Sequence, residues 1–138
     1  MSQGFTLIEV LVVVVILGIL ASVVMINVLD EPDRAGVTKA RTDVRTLETA
    51  LEMYKLNNHH YPSTNQGLEA LVKRPGGQPD AKNWKPGGYV KVLPKDYWGN
   101  DYLYLNPGVH GQIDIYSLGK DGQQGGDGFN VDIGNWER

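Results

Sequence analysis

The sequence predicts an α+β protein in which a long N-terminal helix packs on a small antiparallel β-sheet. Three observations predict this class. The chain opens with an apolar run from Val10 to Ile26, interrupted only by Gly18 and Ser22. An amphipathic helical pattern follows, and two later segments of alternating character flank the turn Asn106-Pro107-Gly108.

The first element is the apolar run itself. From Phe5 to Leu29 the chain supplies the roughly 20 mostly apolar residues that a membrane-spanning helix needs, and Glu9 is its only charged side chain. A cleavable secretory signal is the alternative, but its apolar core is usually about 7–15 residues long and follows a basic start. Here the run is longer and no lysine or arginine precedes it, so we predict a membrane-spanning helix over 5–29.

Glu9 places a carboxylate at one end of this apolar helix. A carboxylate near the middle of a bilayer costs about 2–3 kcal/mol, and less towards the edge. Either the side chain reaches the lipid headgroups, or it pairs with a cation such as a free α-amine on Phe5 of its own or a neighbouring chain. The second interpretation requires cleavage after Gly4, and the residues alone leave both open.

An amphipathic helix is predicted after the apolar run. Its apolar residues recur three and four positions apart, as one helix face requires: Val37, Ala40, Val44, Leu47, Leu51 and Tyr54. The helix is expected to end near Asn57-Asn58. Pro32 lies between the two helical patterns. Because an interior proline removes a hydrogen bond and clashes with the preceding turn, we predict a kink or break around Leu29–Gly36.

The remainder of the chain predicts short elements and turns. Thr64 is predicted to cap a short helix over 65–73. Tyr89–Leu93 alternates and is a candidate strand or extended arm, whereas Tyr102–Leu105 and Gln112–Ser117 are the better strands. We therefore predict a small antiparallel sheet packed on the amphipathic helix.

Composition excludes several classes of function. The 138-residue chain has a formal charge of −3 and no cysteine, which excludes disulfides, thiol nucleophiles and Cys-ligated zinc. Lysine and arginine are not clustered into a basic face, so no nucleic-acid partner is predicted. About 110 residues remain beyond the apolar helix, which is enough for one small domain.

The sequence does not predict an enzyme. It lacks Gly-x-Ser-x-Gly, His-Glu-x-x-His and P-loop motifs. His59 and His60 are adjacent on a predicted loop, and adjacent side chains rarely face one metal. Asp96 and Asp101 lie among Gly, Asn and Pro, where carboxylates cap turns more often than they form an acid–base pair.

A glycine-rich acidic loop lies near the C-terminus, with carboxylates at Asp121, Asp127 and Asp132. Calcium takes 6–8 oxygen ligands in flexible geometry, and glycine lets a backbone turn its carbonyls inward. The spacing is not that of an EF-hand, and a calcium β-roll needs several tandem repeats. From composition alone, a solvated acidic turn and a calcium site both remain open.

The N-terminal sequence from Gly4 to Val13 resembles the class III signal of type IV pilins and pseudopilins. Other stretches are similar to the major pseudopilins of type II secretion systems: Tyr61–Leu71, Leu93–Asn100, Ser117–Gly122 and Asp132–Trp136. The resemblance implies a prepilin leader over 1–4, a transmembrane and fibre-core helix over 5–29, and a periplasmic α+β domain over 30–138. It also implies cleavage after Gly4, N-methylation of Phe5 and a role in assembly for Glu9.

The function implied is that of a structural subunit of the type II secretion pseudopilus. Such a subunit is held in the inner membrane and polymerises into a helical periplasmic fibre that drives export of folded proteins. The partners implied are copies of the same chain, minor pseudopilins, a prepilin peptidase and an inner-membrane platform with a cytoplasmic ATPase. The alternatives are a type IV pilin or minor pseudopilin, and a monomeric membrane-anchored calcium-binding domain.

The resemblance also implies that the C-terminal loop binds calcium, because major pseudopilins bind this ion there. Carried over by position, Asp121 and Asp132 give carboxylate oxygens and Leu118 gives its carbonyl. Asp127 is a further candidate ligand. The expected role is that of a staple, in which the ion ties the loop and the Trp136 end onto the sheet.

Overall fold

The computed structural model describes residues 4–137, with the side chains of 23–31 left outside that description. One helix, α1, runs Leu7–Asn58 and ends where the sequence predicted. The chain divides into two compact units, Met1–Arg34 and Ala35–Arg138.

The first unit is the apolar part of α1. Its large apolar side chains between Phe5 and Leu20 are all exposed, from 48% for Val10 to 86% for Leu7. In the described part of the chain, no helical stretch combines the length and the apolar character that crossing a membrane requires. The predicted span over 5–29 runs into 23–31, whose side chains lie outside the described residues.

Pro32 lies inside α1, which continues unbroken on both sides of it. A break around Leu29–Gly36 is therefore wrong, and the kink predicted there as the alternative stays a prediction. A proline removes one backbone hydrogen bond, but helix propagation is cooperative once the turns on either side have formed. The local penalty does not end this helix.

The second unit is built around the amphipathic part of α1. The predicted apolar stripe is confirmed, since Ala40, Leu47, Leu51 and Tyr54 are 0% exposed and Val44 is 3% exposed. These residues share one core with apolar side chains from the sheet and its flanks: Tyr102, Tyr104, Ile113, Ile115 and Ile133. The sheet therefore packs on the helix, as predicted.

The sheet has three antiparallel strands: β1 at Leu103–Leu105, β2 at Asp114–Ser117 and β3 at Ile133–Gly134. Tyr104 pairs with Ile115, and Tyr116 pairs with Gly134. The predicted strands over 102–105 and 112–117 are thus confirmed in slightly shorter form. The third strand was missed because two residues are too few to show alternation.

Tyr89–Leu93 is not a strand. The N–H groups of Tyr89 and Val90 instead donate to the carbonyl of Leu71, at 2.8 and 3.2 Å. This carbonyl ends a short 3-10 helix, Leu68–Leu71. Tyr89, Val90 and Leu93 pack against the core whereas Val92 is 79% exposed, so the apolar residues of this segment do not alternate between two faces.

The cap predicted at Thr64 is also wrong. Ser63 and Gln66 form the reciprocal pair, with Gln66 N–H to Ser63 Oγ at 3.1 Å and Ser63 N–H to Gln66 Oε1 at 2.9 Å. The pair has the hydrogen-bond pattern of a Ser-x-x-Gln capping box and closes the turn over 64–66, whereas the N-cap of the 3-10 helix is Gly67, which makes no side-chain cap hydrogen bond. Thr64 binds elsewhere: its hydroxyl donates to the Asn106 carbonyl at 3.1 Å and accepts the Asn106 N–H at 2.8 Å.

Candidate assembly and cation-binding sites

The predicted processing and assembly residues lie at the exposed start of α1. Open space surrounds Gly4 where a side chain would project, and Phe5 is 85% exposed. The Glu9 N–H donates to Thr6 Oγ1 at 3.2 Å, which caps the first helical turn. The Glu9 carboxylate forms no ion pair with any described residue. Between Leu7 and Ser22, whose side chains the structure describes, it is the one charged residue.

The loop of residues 118–132 joins β2 to β3 and folds back on itself. The Lys120 N–H donates to the Phe129 carbonyl at 2.9 Å and closes the base of the loop. Gly119 adopts φ +79°, and a Cβ there would come within 2.7 Å of the Val131 carbonyl oxygen. The close approach of the two legs therefore requires glycine at this position.

The carboxylates of this loop bind backbone donors. Both oxygens of Asp132 lie 3.1 Å from the Gly125 nitrogen, and Asp121 Oδ1 accepts the Gln123 N–H at 3.0 Å. Asp127 is exposed. Within the described residues, no group of three or more His, Cys, Asp or Glu side chains is close enough to hold a metal. The structure thus does not bring these aspartates together as one cluster, and calcium binding stays a prediction.

The C-terminal end is attached to the sheet by contacts that the sequence did not predict. Asn135 makes a set of hydrogen bonds to β2 and the residue before it: its N–H to the Ile115 carbonyl at 3.0 Å, its Oδ1 from the Ile115 N–H at 3.1 Å, and its Nδ2 to the Ile113 carbonyl at 3.0 Å. The Trp136 ring stacks on His110, with ring centroids 3.8 Å apart and planes 17° apart. These hydrogen bonds and the ring stacking attach the Trp136 end to the sheet.

Asp114 fixes the His110 side of this stack. Its side chain is buried, and Oδ2 accepts the Val109 N–H at 2.8 Å and lies 3.1 Å from His110 Nδ1. Sequence reasoning missed Asp114 because a polar residue at the start of a strand gives no sign of burial. The turn at Pro107-Gly108, shortly before this strand, was the feature of the sequence that could have indicated the contact.

A second buried contact joins α1 to the start of β1. The Tyr102 hydroxyl donates to Asp43 Oδ2 at 2.6 Å, and Lys39 Nζ pairs with the same oxygen. Burial, reinforced by this hydrogen bond to a carboxylate, raises the pKa of the Tyr102 phenol well above its usual range. The arrangement is structural, because the Tyr102 phenol donates to a carboxylate that is also paired with a lysine.

The chain matches two protein families. Residues 27–136 match the family described as type II secretion system (T2SS), protein G, and residues 1–25 match the prokaryotic N-terminal methylation motif. The type II secretion system core protein G of Pseudomonas aeruginosa is 59% identical over 136 residues, covering 99% of this chain and 96% of that protein. The protein of the same name from Vibrio cholerae is 60% identical over 135 residues, covering 98% and 92%.

The fold is also similar to a solved structure. The crystal structure of the major pseudopilin from the type 2 secretion system of enterohaemorrhagic Escherichia coli matches with a TM-score of 0.70 and 45% sequence identity. The match covers 80% of this chain and 94% of that one. On the match over 27–136 and the identity to these relatives, the chain belongs to the type II secretion system protein G family.

Proposed function

We infer that this chain is the major pseudopilin of a type II secretion system, a structural subunit and not an enzyme. The observation that carries this function is the joint presence of an N-terminal methylation motif over 1–25 and a protein G domain over 27–136 in one chain. The similarity to a major pseudopilin structure at 45% identity supports the same conclusion. The subunit polymerises into the periplasmic pseudopilus.

The apolar start of α1 supports polymerisation on physical grounds. Exposed apolar side chains from Phe5 to Leu20 are stable only in lipid or against other protein. In a subunit stored in the membrane these side chains lie in lipid, and in a fibre they pack against α1 of neighbouring copies. The same segment therefore serves both states.

Glu9 supplies the specificity of this packing. A peptidase cuts after Gly4 and the new terminal amine of Phe5 is methylated, which leaves a cation at the start of each mature chain. Moving Glu9 into an apolar fibre core without a partner is strongly unfavourable, since a buried charge must be paired. Pairing it with the Phe5 amine of an adjacent copy sets the register between subunits.

The remaining partners and the location follow from this role. The chain is held in the inner membrane with its C-terminal domain in the periplasm, and it is processed by the prepilin peptidase. An inner-membrane assembly platform, driven by a cytoplasmic ATPase, adds subunits to the fibre, and minor pseudopilins form part of the same fibre. Growth of the fibre moves folded proteins out through the outer membrane.

The loop of residues 118–132 is proposed to bind calcium through Asp121, Asp132 and the Leu118 carbonyl, with Asp127 as a further ligand. The donor chemistry fits, because every candidate is an oxygen and glycines at positive φ line the loop. None of these aspartates forms an ion pair with a described residue, and Asp121 and Asp132 accept hydrogen bonds from backbone N–H groups. A bound divalent cation balances their charge.

Deletion of the chain tests the proposed function in the organism that carries it. Loss of exoprotein from the medium, with accumulation of folded exoprotein in the periplasm, is expected. Restoration by the full chain, but not by a fragment that begins at residue 35, ties the effect to the apolar start of α1. Normal secretion in the deletion strain contradicts the proposal, and loss of surface fibres alone indicates a type IV pilin instead.

A further inference from the structure

A turn with two aromatic residues lies beside the start of α1 in the second unit. A Cβ built on Gly36 would lie 2.9 Å from Trp98 Cζ2 and 3.0 Å from both Cβ and Cδ1 of Tyr97, so both rings reach the helix there. One helical turn later, Lys39 Nζ donates to the Lys95 carbonyl at 2.5 Å. The turn is therefore fixed to this part of α1 by a close packing contact and a hydrogen bond.

The same loop exposes three side chains, which we define as the 92–97 patch: Val92, Lys95 and Tyr97. Val92 is 79% exposed, Tyr97 is 49% exposed, and the Lys95 side chain is 66% exposed, with its Nζ 3.9 Å from Asp101 Oδ1. Asp96 is 4% exposed and accepts hydrogen bonds from one hydroxyl and two backbone N–H groups, so its charge is turned into the protein. The exposed side chains of the patch are thus apolar, aromatic or cationic.

This combination of side chains is typical of a membrane–water interface. Tyrosine and tryptophan are enriched at the headgroup level, because the ring is apolar and its hydroxyl or N–H is polar. Lysine places its methylene stem along apolar surface and its ammonium in water. Single exposed apolar residues need no explanation, but here the valine, the lysine and the tyrosine lie within six residues of chain. The composition therefore indicates a lipid surface as the partner.

The patch also lies a short distance along the chain from the predicted membrane span. Gly36, against which Tyr97 packs, is seven residues after Leu29, where that span is predicted to end. A helix rises about 1.5 Å per residue, so seven residues of α1 advance about 10 Å. The hydrocarbon core is about 30 Å thick and the bilayer with its headgroups about 40–45 Å, which leaves roughly 5–8 Å of headgroups on each side. Seven residues thus reach the outer edge of the headgroup layer, where the side chains of Lys95 and Tyr97 can enter it.

Attraction between the protein and lipid charge does not explain such a contact. Residues 30–34, between the predicted span and the patch, carry three acidic residues and one arginine. Anionic headgroups repel this segment, so the affinity of the patch has to come from the ring of Tyr97 and the apolar surface of Val92. The contact is therefore expected with zwitterionic lipid, and salt, which screens exposed charges, should weaken it little.

We propose that the 92–97 patch lies in the headgroup layer of the membrane while the subunit is stored there, and holds the second unit at the membrane surface. This inference rests on the proposed storage of the chain in the inner membrane and names a further contact of that state. The partner is the zwitterionic phospholipid headgroup. Entry of the subunit into the fibre has to break the contact.

Fluorescence quenching tests the contact in the full chain, which has no cysteine of its own. The chain is reconstituted in phosphatidylcholine vesicles that carry a nitroxide quencher on the headgroup. A fluorescent label on Asp101→Cys reports the patch, because Asp101 Oδ1 lies 3.9 Å from Lys95 Nζ. Quenching there is expected to exceed quenching of a label on Glu69→Cys, at an exposed position outside the turn, by at least about threefold. A label on Val15→Cys, quenched by a nitroxide in the acyl chain, reports whether the apolar start of α1 lies in the membrane.

Substitutions in the patch supply a second measurement. Tyr97→Trp keeps an aromatic ring with a polar group, so quenching of the label at position 101 is expected to stay within about twofold of the parent. Tyr97→Ser removes the ring and is expected to lower quenching to the level of the label at position 69. Val92→Asp should have the same effect, and it keeps the test valid if Tyr97→Ser unfolds, because Val92 is 79% exposed. Thermal unfolding of each variant separates loss of the contact from loss of the fold.

The outcomes distinguish this contact from the proposed function. A label at position 101 that is not quenched, in vesicles where the label at position 15 is, overturns the inference and leaves storage in the membrane intact. Equal quenching in the parent, Tyr97→Ser and Val92→Asp also overturns it. Quenching that appears only when phosphatidylglycerol is added indicates attraction of lysines to lipid charge and overturns it as well. Absence of quenching at position 15 contradicts the proposed membrane storage first, and the inference with it.

Discussion

The hydroxyl of Ser117 donates to Oδ2 of Asp96 at 2.9 Å, which joins the end of β2 to the turn over residues 96–100. Asp96 is 4% exposed and Ser117 is 0% exposed. The other Asp96 oxygen accepts the N–H groups of Trp98 and Asn100 at 3.1 and 2.8 Å. A buried carboxylate is thus held by hydrogen-bond donors, and it fixes the point where the loop of residues 118–132 begins.

Replacing Asp96 tests how much this network stabilises the domain. Asp96→Ala is expected to lower the free energy of unfolding by about 1–3 kcal/mol, because buried N–H donors are left unpaired. Ser117→Ala removes two hydrogen bonds, the one donated to Asp96 and the one accepted from the Gly119 N–H at 3.2 Å, and is expected to cost about 1–3 kcal/mol. Urea unfolding of a fragment over 27–138 measures both. Asp101→Ala, with an exposed side chain, is the control and should change stability by less than about 0.5 kcal/mol.

Gly36 is expected to resist a substitution that normally stabilises helices. Gly→Ala in a helix interior gains about 0.8–1 kcal/mol. At Gly36, however, a Cβ would lie 2.9 Å from Trp98 Cζ2 and 3.0 Å from Tyr97 Cβ. Overpacking costs about 1–3 kcal/mol, so Gly36→Ala is expected to lower the melting temperature. The loss should shrink when Trp98 is replaced by Phe, and a higher melting temperature for the single variant would contradict this packing.

Alkaline pH is expected to destabilise the domain through its buried tyrosines. Burial raises the pKa of Tyr54 to about 12, helped by nearby Tyr89 and Asp80, and burial raises that of Tyr104 as well. An unfolded tyrosine ionises near pH 10. Because the folded state holds these protons more tightly, their contribution is complete below about pH 10 and is lost as pH rises towards the folded values.

Tyr54→Phe isolates this effect. The Tyr54 hydroxyl is buried without a hydrogen-bond partner among the described residues, so removing it should cost little at pH 7. Between pH 10 and 11.5 the variant should lose less stability than the parent. Urea titrations across that range measure the slope, and equal slopes for parent and variant would rule out a contribution from Tyr54.

Calcium is expected to raise the melting temperature of the domain, and chelator to reverse the change. A ligand that binds only the folded state stabilises it by about 2.7 kcal/mol at roughly one hundred times its Kd. Asp121→Ala and Asp132→Ala should abolish the shift, whereas Asp101→Ala, outside the loop, should keep it. Identical melting curves with calcium and chelator, or an unchanged shift in Asp121→Ala, would contradict calcium binding by the loop of residues 118–132.

Long elements could be predicted from the sequence and short ones could not. The stripe from Ala40 to Tyr54 spans several turns, so its helical period is unambiguous. The Asn-Pro-Gly turn fixed the pairing of β1 with β2 in the same way. By contrast β3 at Ile133–Gly134 is defined only by its partner strand. The bonds between Ser63 and Gln66 follow a local spacing of three residues, which the sequence offered and the prediction at Thr64 overlooked.

Among the side-chain contacts, those between residues close in the chain could be predicted, and those between distant residues could not. Turn capping by Asp96 was predicted from its Gly- and Asn-rich surroundings and is confirmed. The burial of Asp114 and the stacking of Trp136 on His110 were not predicted, because they join residues distant in the chain.

Assembly of the Glu9→Leu variant tests the central claim most directly, namely that the Glu9 carboxylate pairs between subunits of a fibre. The full chain and the variant are expressed with the secretion system, and membrane and fibre fractions are separated by sedimentation, with processing after Gly4 checked by mass spectrometry. The account predicts that both chains insert into the membrane and are processed, while only the parent enters the fibre fraction. Fibres built from Glu9→Leu, or a processed parent that remains monomeric at every concentration, would contradict it.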